Sequence, residues 1–312
     1  MEIKNSGELS ALFEDPLRGI EWLQGKGLLK REQSCPKCSG AMKLKKVTAG
    51  DRVKWLCRRK ACTATCSIRT ASIFYDAKSS LATLTRLFYE WAAKSPVSRA
   101  MSETGLSRCA VLEWFRLLRD FLFDFEFDRT SRQIGGAGMT VEVDETKVVR
   151  RKYNIGRISS ANKEWLVGGI CRETGEIFLE RVEARTQAVL HELIQRHVAP
   201  GTRILSDCWA GYNGLTGLGY DHATVNHSYN FVDPLQGDVH TQRIENVWRW
   251  LKHFLKQKGT NIQGSLEGYF AEYMFRKEHE NDSADVWPRT HQDPHEQQDN
   301  HHHPARIISA IG

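Results

Sequence analysis

The chain has 312 residues, 40% of them hydrophobic and nine of them Trp, enough for one large domain or two to three smaller ones. No run of 18 apolar residues occurs, which argues against a membrane span. The net charge of +6 hides a gradient: residues 1–132 carry 24 Lys/Arg against 15 Asp/Glu, residues 133–276 carry 17 against 16, and residues 277–312 carry 3 against 7. The N-terminal end is therefore expected to meet a polyanion. The acidic start, MEIKNSGELSALFEDPL, lacks a signal-peptide pattern, so an intracellular protein is expected. In that setting the eight cysteines read as metal ligands or buried thiols, not disulfides.

Residues 1–34 form an N-terminal helical segment. Leu9, Leu12, Phe13, Leu17, Ile20 and Trp22 are its apolar positions over 8–31. Residues 35–75 are Cys-rich and basic. Cys35-Pro-Lys-Cys38 and, after an 18-residue gap, Cys57-Arg-Arg-Lys-Ala-Cys62 have the spacing of a four-thiolate zinc ribbon. Cys66 is a rival to Cys62 as fourth ligand, at the cost of a larger loop. A ribbon this small has little core, so Zn²⁺ would be structural and coupled to folding. Arg58, Arg59 and Lys60 would meet phosphates, giving affinity without sequence readout. Cys109, Cys171 and Cys208 read as ordinary buried thiols.

Residues 76–132 are a helical helix-turn-helix region. In Pro96–Arg116, Ala100 packs inside the first helix, Gly105 makes the turn and Ser107 caps the second helix. Val111 and Trp114 face the core, and Ser107, Arg108 and Glu113 approach base edges. A plain αα-hairpin is the competing reading. Phe121, Phe123, Phe125 and Phe127 recur at period two, which predicts a strand or extended connector with one aromatic face.

Residues 133–276 follow a Gly-rich joint, Gly135-Gly136-Ala137-Gly138. The pattern predicts strands at 139–149, 164–172 and 176–182, then a helix at 186–197. A strand at 203–206, a short helix at 209–215, a strand at 222–226 and a long helix at 241–257 complete it. Three strands, helix, strand, helix, strand, helix is the order of an α/β, RNase H-like catalytic core with antiparallel strands beside a parallel pair. Residues 277–312, with six of the twelve histidines, read as a disordered polar tail.

Asp144, Asp207 and Glu245 sit on the first strand, the fourth strand and the closing helix. Carboxylates at such places are costly unless paired or metal-bound. Three that converge suit Mg²⁺, a hard cation that takes oxygen ligands, and phosphoryl transfer on nucleic acid. Glu145 points to the opposite face and competes with Asp144. Arg150, Arg151, Lys152 and Arg157 form a basic ribbon suited to phosphates. His227 and His240 either order the site or contact phosphate.

Several motifs carry a resemblance: Val141-Glu-Val-Asp-Glu-Thr146, Gly201-Thr-Arg-Ile-Leu-Ser-Asp-Cys-Trp-Ala-Gly-Tyr212, Val225–Pro234, and His240-Thr-Gln-Arg-Ile-Glu-Asn-Val-Trp-Arg-Trp-Leu-Lys252. Residues 135–276 resemble the transposase domain of the Merlin superfamily and of related bacterial insertion sequences of the ISXO type. The resemblance implies a DDE transposase in which Asp144, Asp207 and Glu245 are catalytic and hold Mg²⁺ or Mn²⁺. Some relatives place Asn in the third role, three residues earlier; here that position is Gln242, so Glu245 is preferred. Lys252, seven residues after Glu245, would touch DNA phosphate. The resemblance also implies terminal inverted repeats and target DNA as double-stranded partners, a homo-oligomer and a nuclear location. A domesticated DNA-binding protein without transposition and an RNase H-like nuclease are the alternatives.

Overall fold

The computed structural model describes residues 5–128, 133–147, 165–225, 240–258 and 266–279. Contacts divide the chain into two compact units, one reaching Phe125 and the other covering Glu126–Glu278. The basic segments at 150–157, His227 and nearly all of the histidine-rich tail lie outside the described residues.

The first unit begins with two helices where one segment was expected. Helix α1 is Ser6–Leu12 and α2 is Pro16–Gly25. The break follows from Asp15-Pro16. Asp15 Oδ1 accepts the Leu17 N–H at 3.0 Å as the cap of α2. Pro16, with no N–H of its own, is suited to the first position of a helix and not to the middle of one. Strands β1 (Met42–Lys46), β2 (Val53–Cys57) and β3 (Thr65–Ser67) then form an antiparallel sheet.

A buried ion pair ties this sheet to the helices. Arg69 Nε and Nη2 donate to the two Asp51 oxygens at 2.6 Å each. The same guanidinium donates to the carbonyls of Ala77 and Ser79, while Asp51 also accepts the Leu81 N–H. Arg69 is therefore a structural cation, unlike the exposed Arg58, Arg59 and Lys60.

Helices α3 (Leu81–Ala92), α4 (Val97–Thr104) and α5 (Arg108–Asp128) follow. The period-two phenylalanines do not form a strand: α5 continues through them. No Gly or Pro lies between Gly105 and Gly135 to stop it. Val111, Phe115, Leu118 and Leu122, all buried, supply a helical stripe that outweighs the aromatic alternation. Phe123 is 37% exposed, so Phe121, Phe123 and Phe125 share no buried face.

The second unit is a five-stranded mixed sheet in the order β6-β5-β4-β7-β8. Its strands are β4 (Thr140–Thr146), β5 (Trp165–Cys171), β6 (Ile177–Val182), β7 (Arg203–Asp207) and β8 (Asp221–Val225). β4, β5 and β6 pair antiparallel, whereas β4–β7 and β7–β8 pair parallel. Helix α6 (Gln187–His197) covers one face; α7 (Gln242–Gln257) and α8 (Leu266–Glu278) cover the other. This mixed α/β sheet is consistent with an RNase H-like core.

Both faces are coded by strand alternation. Val141, Val143 and Val167 point toward α6, while Leu166 and Ile170 point toward α7 and α8. Between them Gly168 is required by close packing: a Cβ there would lie 2.6 Å from the Trp248 ring. The Gly-rich stretch before β4 docks onto this unit, because the Gly136 N–H donates to Thr202 Oγ1 at 2.8 Å and Ile134 bridges to Val198. Helix α8 is not expected from the sequence, which has α7 close the domain, and it runs two residues past the expected domain end at 276.

Candidate active site and metal cluster

In the first unit Cys35, Cys38, Cys57 and Cys62 bring all four Sγ atoms within 4.8 Å of one another. Cys35 to Cys62 and Cys38 to Cys57 are each 3.6 Å, too long for disulfides. A tetrahedral zinc with Zn–S of about 2.3 Å sets its sulfurs about 3.8 Å apart. The donor set and spacing therefore fit zinc. Two tight turns create the cluster. The Ser39 N–H returns to the Cys35 carbonyl and the Cys62 N–H to the Arg59 carbonyl.

The thiols' acidity tells the same story. Burial opposes ionisation of Cys35, yet the Lys37 and Cys38 N–H groups and the Cys38 and Cys62 thiols bring it down to about 7. The Arg59 N–H lowers Cys57, but burial and bonds with Cys38, Cys62 and Cys35 outweigh it and push that thiol up to about 12. Four clustered sulfurs do not all ionise without a cation to neutralise them. Cys66 stays outside, its Sγ 3.4 Å from Met42 Sδ, and burial raises its pKa. Of the three cysteines read as buried thiols, only Cys171 is; Cys109 and Cys208 are exposed, on the outer side of α5 and at the end of β7.

Helices α4 and α5 meet through Gly105, which adopts the left-handed conformation at φ 69°. Ser107 Oγ accepts the Ala110 N–H at 3.3 Å, as the N-cap expectation requires. Ala100 and Val111 are buried, and Trp114 packs on Phe74 and Phe88. Ser107, Arg108 and Glu113 are exposed at the start of the second helix.

In the second unit α7 lies along β4 with a matched step. Two strand residues advance about 6.6 Å and four helix residues about 6 Å, so alternate β4 side chains meet successive turns of α7. Glu142 Oε2 accepts the N–H groups of Arg243 (2.8 Å) and Ile244 (3.0 Å) at the helix start. Trp248 Nε1–H donates to Asp144 Oδ2 at 2.9 Å. Lys252 Nζ donates to Thr146 Oγ1 at 2.8 Å. The lysine expected at DNA phosphate thus also ties α7 to the end of β4.

Asp144 and Asp207 are neighbours. The parallel register pairs Glu142 with Leu205, and two residues further Asp144 comes level with Asp207 on the same face. Asp207 Oδ1 accepts the Trp209 N–H at 2.9 Å. Burial pushes the Asp144 carboxyl up to about 6; the Trp248 and Glu145 N–H groups lower it, and the charges of Glu145 and Asp207 raise it.

Glu245 is exposed in the first turn of α7, one turn before Trp248 and two before Lys252. The opposite flank of α7 belongs to α8, whose Tyr273 hydroxyl donates to the Val247 carbonyl and whose ring packs on Phe254. Glu245 and Lys252 therefore share the flank turned toward β4. Among the described residues the three carboxylates are not drawn to a common ion distance as the four cysteines are.

Glu145, the rival acid, points to the other face. Its two oxygens accept from Arg185 Nη1 and the Tyr212 hydroxyl, each at 2.7 Å. Glu142 went unsingled in the sequence: it is fully buried, held by Arg172 Nε at 2.7 Å as well as by α7. His240 joins this network, with Nδ1 3.1 Å from Arg172 Nη2 and 3.6 Å from Glu142. That placement favours an ordering role for His240. A charged residue flanked by valines inside β4 was the available signal for Glu142, since such a group needs a buried partner.

Residues 135–278 match a known family. The match is to the ISXO2-like transposase domain. The matched transposase domain spans the whole mixed sheet together with α6, α7 and α8. Over these residues the chain is similar to that transposase family. Among curated proteins, none matches the chain. Among the described residues no helix is long and apolar enough to cross a membrane.

Proposed function

We propose that the chain is a cut-and-paste DNA transposase of the Merlin type. Asp144, Asp207 and Glu245 are its catalytic acids. The observation that carries this reading is that Asp144 and Asp207 each lie two residues past the Glu142–Leu205 pair of parallel strands β4 and β7, with the charge of Asp207 acting on Asp144. Both lie within a stretch that matches a transposase domain and beneath the helix that bears Glu245.

The oxygen-rich donor set fits a hard divalent cation such as Mg²⁺ or Mn²⁺. When bound, such ions would activate a water or a DNA 3′-OH and neutralise the leaving oxygen. The chain's own residues orient that site. Trp248 fixes one oxygen of Asp144, the Trp209 N–H fixes one of Asp207, and Glu142 anchors the start of α7. No Ser or Tyr nucleophile is required, because the attacking oxygen comes from water or DNA.

The zinc cluster presents Arg58, Arg59 and Lys60 to phosphates. The exposed Ser107 and Arg108 start the helix that enters the major groove. Two transposon ends must be paired, so the working form is an oligomer. A nuclear site of action follows from the Merlin resemblance.

The test supplies a duplex that already ends in a free 3′-OH at a terminal inverted repeat, together with target DNA and Mg²⁺. A joined strand supports a transposase. Hydrolysis without joining indicates a nuclease, and binding with neither indicates a domesticated DNA-binding protein.

A further inference from the structure

We propose that Trp209 is a stacking platform for an unpaired nucleobase beside the DNA strand held at Asp144 and Asp207. This deepens the DNA-processing reading and rests on it. Trp209 follows Asp207 by two residues, at the carboxyl end of β7. The residue is 38% exposed, although its ring is bonded and stacked.

Three features fix that ring. Its backbone N–H donates to Asp207 Oδ1 at 2.9 Å, and its Nε1–H donates to the Arg185 carbonyl at 3.2 Å. The Arg185 guanidinium stacks on the indole at 3.8 Å from the ring centroid. Gly211 makes room for it: a Cβ there would lie 2.7 Å from Nε1 and 2.9 Å from the adjoining ring carbon. Arg185 is itself fixed, stacked at 4.1 Å on Trp165 and paired with Glu145 at 2.7 Å. Lys147 adds a second cation 4.7 Å from Trp165.

A held, half-exposed indole with a guanidinium on one face has a chemistry. Arg185 covers one face of the ring and its one polar atom is already bonded, so the exposed remainder is aromatic surface with no free edge donor. Such a surface binds any base by stacking and is tolerant of sequence. The nearest cations are Arg185, on the indole itself, and Lys147, on the neighbouring Trp165 ring. Paired bases inside a duplex stack on each other, so the ligand is a base at a frayed or single-stranded end. Strand cleavage at Asp144 and Asp207 produces such ends.

The experiment compares two duplexes by fluorescence anisotropy with the full chain. One ends in a short single-stranded thymine overhang; the other carries the same overhang without bases. The wild type is expected to bind the thymine overhang about 5- to 100-fold more tightly, the range of one aromatic–base stack. Trp209→Ala is expected to abolish that preference. Trp209→Phe keeps part of it. Equal binding of both duplexes by the wild type overturns the platform and leaves the DNA reading standing. A preference that survives in Trp209→Ala also overturns it. Failure to bind either duplex overturns the DNA reading and the platform together.

Discussion

The indole N–H of Trp248 donates to Asp144 across the interface between α7 and β4, at 2.9 Å. One bond thereby joins the helix that carries Glu245 to the strand that carries the first acid. Trp248→Phe removes the donor together with the outer indole ring whose Cη2 packs over Gly168. A hydrogen bond to a charged group contributes about 1.5–3 kcal/mol, so strand cleavage should fall by roughly one to two orders of magnitude, and the melting temperature should fall too as the bond and the buried packing are lost. The pH below which cleavage is lost should move upward, because Asp144 loses a group that lowers its pKa. Cleavage rates measured across pH for wild type and variant check both effects.

Asp144 also makes metal-free stability depend on pH. Its folded pKa, about 6, lies above the ordinary value of 3.8, so the fold disfavours its charged form. Below the ordinary value the group is protonated in both states and costs nothing. As pH rises toward 6 the unfolded chain ionises first and stability falls; above 6 the cost is constant. Asp144→Asn should therefore be more stable than wild type at pH 7.5, by on the order of 2 kcal/mol, and equal to it near pH 4. Urea unfolding at the two pH values without divalent metal reads this directly.

Much of the second unit was legible in the sequence because its signals are local. Strand alternation, the Pro200-Gly201 stop and the amphipathic stripe of α7 each announce an element, and the elements appear in the expected order. The error at Phe121–Phe127 arose where two periods coexist in one segment and only packing decides between them. Glu142, Trp248, Arg185 and Tyr212 were missed as site-building residues for a different reason. Each acts through a partner 40 to 104 positions away in the chain, and no local pattern encodes such a pairing.

The cysteine cluster should hold about one zinc per chain by elemental analysis. Strong chelation should unfold the first unit, and Cys57→Ser should lower both the zinc content and the melting temperature. Cys66→Ser should leave the zinc content unchanged, since Cys66 Sγ contacts Met42 instead. A folded N-terminal unit without zinc would contradict the assignment.

Asp51 and Arg69 form a buried pair whose side chains are 9% and 10% exposed. Removing one partner strands the other charge, at a cost of about 3–5 kcal/mol. Asp51→Ala should therefore destabilise the chain far more than Arg59→Ala, an exposed position. Arg59→Ala should instead weaken DNA binding and flatten its salt dependence. Thermal unfolding and salt-titrated binding separate the two roles.

The most direct measurement of the central claim is Mg²⁺-dependent cleavage of DNA that carries the inverted repeats flanking the encoding gene. The wild type and the single variants Asp144→Ala, Asp207→Ala and Glu245→Ala are compared at matched folding. The account predicts cleavage by the wild type that stops when the metal is removed, and loss of at least two orders of magnitude in each variant, as expected when a two-metal site loses a ligand. Full cleavage by Asp207→Ala, or cleavage that persists without a divalent metal, would contradict it.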